Sequence, residues 1–260
     1  MSASYYLQFE DHPGAGDDGS VPLVLIHAFP VGPRMFDDLT ALLPGRNVVV
    51  HLPGFGDTAV PEGPANLDDA ADGLGAALDR AGIERAAIAG VSLGGYVALS
   101  FLERHKDRVS ALGLLDTHMK ADPPAKREDR AKTALAVRER GTAELSIDGL
   151  LGETTCASRP DLVSRAQALV HEANPDGVIW ALEAMAARPD RTHVVQEADI
   201  PVLILAGEED AMTPLSVLRE PLSDLKNVSA ITVSRAGHLA AMEKPTEVAQ
   251  ALAELVQRAR

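Results

Sequence analysis

Ala86-Ala87-Ile88-Ala89-Gly90-Val91-Ser92-Leu93-Gly94-Gly95-Tyr96-Val97-Ala98-Leu99 is a short apolar run that passes through a serine between glycines into a second apolar run. Ala86–Val91 has the length and uncharged character of a buried strand, and the stretch from Leu93 to about His105 reads as a helix. The serine therefore stands on a strand-to-helix turn, where its backbone must take strained angles. Small residues at Gly90, Gly94 and Gly95 let the chain double back without a clash. Such a turn lifts the Ser92 hydroxyl above the end of the strand. It also turns the next N–H groups, at a helix N-terminus, toward the same space. The plain alternative is a glycine-rich turn with an incidental serine.

Outward from this turn, strands and helices alternate, the pattern of an α/β sheet covered on both faces. Val21–Ala28, Asn47–Leu52, Val109–Leu115, Pro201–Ala206 and Asn227–Val233 read as further strands. Helices are expected over Pro33–Leu43, from the N-cap Asn66 to about Ala81 with Gly82 at its end, and over Thr246–Arg260. Residues 118–199 carry helical patterning and few strand signals, including the charged run Ala125–Arg140 and the more apolar Asp176–Ala187. A strand-to-strand crossover needs only about 10–12 residues, so this stretch reads as an inserted helical cap. The expected division is a core of residues 1–117 and 200–260 with a cap of 118–199.

The chain has 260 residues, with 24 basic and 38 acidic side chains and a formal net charge of −14. That balance argues against nucleic acid or an anionic membrane surface as partner, since both select basic patches. No apolar run approaches the roughly 20 residues that span a bilayer, so no membrane association is expected. Cys156 is the only cysteine, which excludes an internal disulfide, a thiolate zinc site and a Cys-x-x-Cys redox pair. The first residues have neither a basic nor an apolar leader region, and a reducing cytoplasm is the expected compartment. Oligomeric state is not legible.

An activated serine needs a base and an orienting acid, expected downstream in the order Ser, Asp, His. Ala206-Gly207-Glu208-Glu209-Asp210-Ala211-Met212-Thr213 follows one strand, and Ala236-Gly237-His238-Leu239 follows the last. Both fall at the sheet edge where α/β proteins bind ligands. Neutral His238 can take the Ser92 proton while Asp210 holds the imidazole tautomer. Glu208, Glu209 and Asp116 offer rival carboxylates, and His238 has the alternative reading of a loop cap.

This ordered set resembles the α/β-hydrolase superfamily along essentially the whole chain. The likeness rests on Leu25-Ile26-His27-Ala28-Phe29-Pro30, Leu52-Pro53-Gly54-Phe55-Gly56, the turn at Ser92, the segment at Asp210 and Gly237-His238. The capped branch with 3-oxoadipate enol-lactone hydrolases, cofactor-free haloperoxidases and small carboxylesterases is the most similar, with Leu115-Asp116-Thr117 in support. The resemblance implies a mostly parallel twisted sheet with helices on both faces and an inserted helical cap. It implies a serine hydrolase that cleaves a small ester or lactone through an acyl-enzyme, with no metal and no cofactor. Ser92, Asp210 and His238 would be its catalytic residues, and the backbone N–H groups of Phe29 and Leu93 its oxyanion hole. His27, His118, Trp180, Met212 and Leu239 are candidates for the substrate pocket, although helical spacing alone favours core packing for Trp180, Leu182 and Met185.

The chain departs from the family pattern at two positions. His27-Ala28 replaces the usual His-Gly, and His51 stands where an Asp usually ends the second strand. Perhydrolysis or haloperoxidation without cofactors, and carbon–carbon bond hydrolysis, are alternative chemistries for the same three residues. A binding or cyclase-like protein without hydrolysis is a further one. Gly14-Ala15-Gly16-Asp17-Asp18-Gly19 matches a dinucleotide fingerprint by letter but precedes a strand instead of following one, so it reads as a loop. His12, His105, His118, His171 and His193 show no metal-ligand spacing.

Overall fold

The computed structural model describes residues 5–14, 20–141, 143–222 and 224–259. Most of the Gly14–Gly19 loop therefore lies outside the described residues. Seven strands form one sheet: β1 (Phe9–His12), β2 (Leu23–Ile26), β3 (Asn47–Val50), β4 (Ala86–Val91), β5 (Val109–Leu115), β6 (Val202–Gly207) and β7 (Val228–Val233). Their order is β1-β3-β2-β4-β5-β6-β7. β1 pairs antiparallel with β3 at one edge, and the other neighbours run parallel.

Eleven α-helices accompany the sheet among the described residues. They are α1 (Asp37–Thr40), α2 (Leu67–Arg80), α3 (Leu93–Arg104), α4 (Pro124–Arg140), α5 (Glu153–Ser158), α6 (Pro160–His171), α7 (Pro175–Ala187), α8 (Thr192–Gln196), α9 (Leu215–Arg219), α10 (Ala240–Glu243) and α11 (Pro245–Arg258). None is long and apolar enough to cross a membrane.

Strands β2 to β6 are buried along their whole length, as parallel strands covered by helices on both faces must be. Their side chains alternate between two cores. Val24, Ile26, Ile88, Leu112 and Ile204 face α2 and α3, whereas Leu23, Leu25, Ala89, Leu203 and Leu205 face α1, α10 and α11. Each helix lays an apolar stripe on its face. In α2, Leu67, Ala70, Ala71, Leu74, Ala77 and Leu78 are buried, at the spacing of one helical side. Asn66 caps it by accepting the Asp68 N–H at 2.7 Å, and Gly82 turns the chain away at φ 65°.

Asp68 and Asp72 on α2 anchor neighbouring segments. Asp68 accepts from Ser100 Oγ at 2.6 Å and pairs with Arg191, while Asp72 takes Arg104 and His105.

The helices α4 to α8 fall between β5 and β6. They contribute to both cores: Ala134, Val137, Trp180 and Ala181 pack on one side, and Leu150, Leu151, Leu162 and Leu169 on the other. Three elements depart from the expected pattern. The expected helix over Pro33–Leu43 is a 3-10 turn, Pro33–Phe36, followed by the single turn α1. The edge strand β1 and the short α9 carry no strong apolar period and were not anticipated.

Candidate active site

Residues at the C-terminal ends of β4, β6 and β7 converge. Ser92 follows β4 with φ 52° and ψ −112°, the strained turn that its sequence context demands. Backbone closeness explains the glycines. A Cβ at Gly90 would lie 2.1 Å from Gly94 O, and one at Gly94 would lie 2.0 Å from Ile26 O. The turn is pinned by Ser92 N–H donating to Leu115 O at 2.9 Å and by Thr117 Oγ1 donating to Ser92 O at 2.8 Å. Ser92 stays partly exposed among buried neighbours.

Ser92 Oγ lies 2.8 Å from His238 Nε2, and His238 Nδ1 lies 2.9 Å from Asp210 Oδ2. The imidazole thus donates from Nδ1 to the carboxylate and accepts at Nε2 from the hydroxyl. Asp210 is fully supplied with donors. Its Oδ1 accepts from the N–H groups of Met212 (2.8 Å) and Thr213 (3.0 Å), and its Oδ2 also accepts from Thr213 Oγ1. Burial alone would push this carboxyl up, but the hydrogen bond and charge of His238, with Thr213, hold it below its ordinary range.

Phe29 stands at the end of β2, partly exposed, and Leu93 opens α3. As the first residue of a helix, Leu93 has an N–H with no intrahelical acceptor. Among the described residues, no three His, Cys, Asp or Glu side chains converge as a metal-ion site.

The family described as alpha/beta hydrolase fold matches this chain over residues 21–245. The chain belongs to the α/β-hydrolase fold family. It is 30% identical over 245 residues to the pimeloyl-acyl-carrier-protein methyl ester esterase of Neisseria meningitidis, covering 85% of this chain and 88% of that protein. A thermophilic esterase from Thermogutta terrifontis, solved with malate bound, superposes with TM-score 0.90 at 32% identity, over 97% of this chain and 93% of that one. The enol-lactonase of Burkholderia xenovorans LB400 has the same fold, with TM-score 0.84 at 20% identity over 96% of each chain. This protein is thus an α/β-fold hydrolase.

Each rival carboxylate in the hydrolase has a different task. Asp116, wholly buried, accepts the Gly207 N–H at 2.8 Å and the Ala240 N–H at 3.3 Å, joining the C-terminal end of β6 to the start of α10 after β7. Burial pushes its carboxyl well above the ordinary range. Glu208 accepts from Ser234 Oγ and Arg235 N–H, and Glu209 accepts from Thr154 N–H at 2.8 Å. None of these bonds involves His238.

The expected pocket residues separate. His27 is a correction: it is completely buried, with Nδ1 donating to Ala28 O at 3.0 Å and Nε2 accepting from Leu52 N–H at 3.1 Å. Burial lowers its pKa to about 3, which suits a neutral tie between β2 and the loop after β3. Leu239 is a second correction, wholly buried in the core with its N–H on Leu150 O. Trp180 is nearly buried and borders a cavity of about 330 Å³ among Val60, Val137 and Ile179, away from Ser92. Met212 is exposed. His118 is partly buried against Tyr96 and receives Arg188 at 3.2 Å, and burial lowers its pKa to about 4.

The two departures from the family pattern are accommodated. Ala28 does not join Ser92, Asp116 and Arg235, the non-glycine residues of positive φ among those described. His51 accepts the Asp57 N–H at 3.2 Å and faces Glu10 at 3.3 Å, so it still ties its loop. Sequence reasoning missed Thr213, although an Asp followed two and three residues on by its own N–H donors is a turn signal. It also missed a cavity of about 530 Å³ between residues 30–34, the loop 51–60 and the α6–α7 junction. Phe55 in its wall packs edge-on against Phe29, with ring centroids 6.5 Å apart.

Proposed function

We propose that this hydrolase cleaves a small carboxylic ester or lactone through an acyl-enzyme on Ser92. The observation that carries the reading is the unbroken chain from Ser92 Oγ through His238 to Asp210, at 2.8 and 2.9 Å. His238 Nε2 takes the hydroxyl proton as Ser92 Oγ attacks the substrate carbonyl. The N–H groups of Phe29 and Leu93 hold the oxyanion, a service worth about 2.7–4 kcal/mol per donor. Collapse expels the alkoxide, which leaves with the proton from the imidazolium. Water then attacks the acyl-enzyme, with His238 again as base, and releases the acid and free Ser92.

Asp210 stabilises the imidazolium without taking its proton. The ester class draws support from the Neisseria esterase and the Thermogutta esterase. Residues 118–199 act as the cap that selects substrates.

Fluorophosphonate labelling with peptide mapping, followed by hydrolysis of short p-nitrophenyl esters and γ-lactones, tests this reading. A single adduct on Ser92, absent in His238→Ala, is expected. An adduct elsewhere, or full turnover by Ser92→Ala, would refute it.

A further inference from the structure

Glu243 is a buried carboxylate, 5% exposed, five residues beyond His238. Its Oε1 accepts the Gly237 N–H at 2.8 Å, next to His238, and its Oε2 accepts the Gly152 N–H at 3.0 Å. Gly152 belongs to the segment between β5 and β6. One carboxylate therefore bridges two backbone amides that are far apart in the sequence, with one oxygen for each. Charge-assisted bonds of this kind are about twice as strong as neutral ones.

The same short segment grips both loops that meet at His238. Leu150 O accepts the Leu239 N–H at 3.0 Å, and Thr154 donates its N–H to Glu209, the neighbour of Asp210. The backbones are in contact as well. A Cβ at Gly237 would lie 2.2 Å from Gly152 N, and one at Gly152 would lie 2.5 Å from Glu209 Oε2 and 2.9 Å from Gly237 N. The amides on either side of His238 thus end on Glu243 and on Leu150. The loop is further held by Asp116, through Ala240, and by the Glu209 N–H, which donates to Ala236 O at 2.8 Å.

We infer that Glu243 is a positioning residue that sets the direction of His238 by fastening its loop to residues 150–154. The inference rests on His238 acting as the base for Ser92. Its consequence is that the seating of the inserted segment and the alignment of the Ser92–His238 hydrogen bond are one event. The site is aligned only when residues 150–154 are docked. Glu243 touches neither the imidazole nor Ser92, so it acts through the peptide groups alone.

The test compares Glu243→Gln, Gly152→Ala and Ser92→Ala in the full chain. Glutamine keeps the size but can satisfy only one of the two amides, and its NH₂ then faces an N–H. The Gly152 variant pushes the segment off both loops, and so draws the Gly152 N–H off Glu243, while the Glu243 side chain itself is unchanged. For both, kcat on a p-nitrophenyl ester and the fluorophosphonate labelling rate should fall together by roughly 10²-fold, the loss that a displacement of about 1 Å brings, with KM unchanged. The downfield proton resonance of the His238–Asp210 hydrogen bond should shift or broaden in both.

If Glu243→Gln does not fold, Gly152→Ala carries the test. Wild-type kcat and an unmoved resonance, even with a lowered Tm, would overturn the positioning role. Activity retained by Ser92→Ala would instead refute the reading on which it rests.

Discussion

The turn at Ser92 is shaped by its own strand and helix and the two strands beside them, with Gly90 and Gly94 in contact with backbone and Leu115 and Thr117 holding the serine. The loop at His238 draws on more distant partners as well as on the helix that follows it. It depends on Asp116 from β5, Asp210 from β6, Leu150 and Gly152 from the inserted segment and Glu243 from α10. The first region is held by close packing within one strand-turn-helix unit and its neighbours. The second is held by Asp116, Asp210 and Gly152 from far along the chain together with Glu243 from the adjoining helix. A turn of the first kind can be recognised by its letters, whereas a loop of the second kind is defined only when all its partners are in place.

That contrast can be broken most sharply at the reacting groups. Ser92→Ala should lower kcat on the order of 10⁶-fold with the fold intact, measured by steady-state hydrolysis and circular dichroism. Asp210→Asn should lower kcat roughly 10⁴-fold, because the amide favours the wrong imidazole tautomer. A loss of only a few fold would mean that the distant carboxylates carry less of the loop than the local turn does.

The local side of the comparison is sharpened by Gly94→Ala. Its Cβ would meet Ile26 O, a backbone atom that cannot yield cheaply, so a stability loss of about 3 kcal/mol is expected in urea unfolding. Unchanged stability would show that the turn tolerates more freedom than its contacts imply.

A smaller effect concerns Asp116. Its pKa is higher in the folded state than in the unfolded chain, so folding binds a proton and stability falls as pH rises from the ordinary carboxyl range through the folded pKa. Asp116→Asn should flatten that decline in Tm measured against pH. The paired and lowered Asp210 works in the opposite sense, since its contribution is present above the unfolded pKa and is lost as pH falls through the folded value.

The smallest effect is expected at Arg34, which joins the core to α6 through Glu172 at 3.1 Å on the exposed surface. Arg34→Ala should change stability by no more than about 1 kcal/mol in urea unfolding.

Much of the architecture was legible because parallel strands buried on both faces read as uninterrupted apolar runs, as in Ala86–Val91 and Val109–Leu115. The edge strand β1 was not, since one of its sides faces solvent and Phe9-Glu10-Asp11-His12 lacks that signature. His27 and Leu239 were misjudged for a related reason. Both are pocket candidates in the sequence, but a side chain one or two residues along a turn from Phe29 or His238 points elsewhere, and both are enclosed by core and backbone.

The sequence by itself determined the order of strands and helices, the strained position of Ser92 and the loops from which an acid and a base could come. These follow from local periodicity and from glycines that only a tight turn requires. Tertiary structure alone decided which carboxylate meets His238 and what Asp116, Glu208, Glu209 and Glu243 do instead. The reason is geometric: Glu208, Glu209 and Asp210 are adjacent in one loop, yet their side chains diverge to Ser234, Thr154 and His238. Only the folded backbone sets those directions.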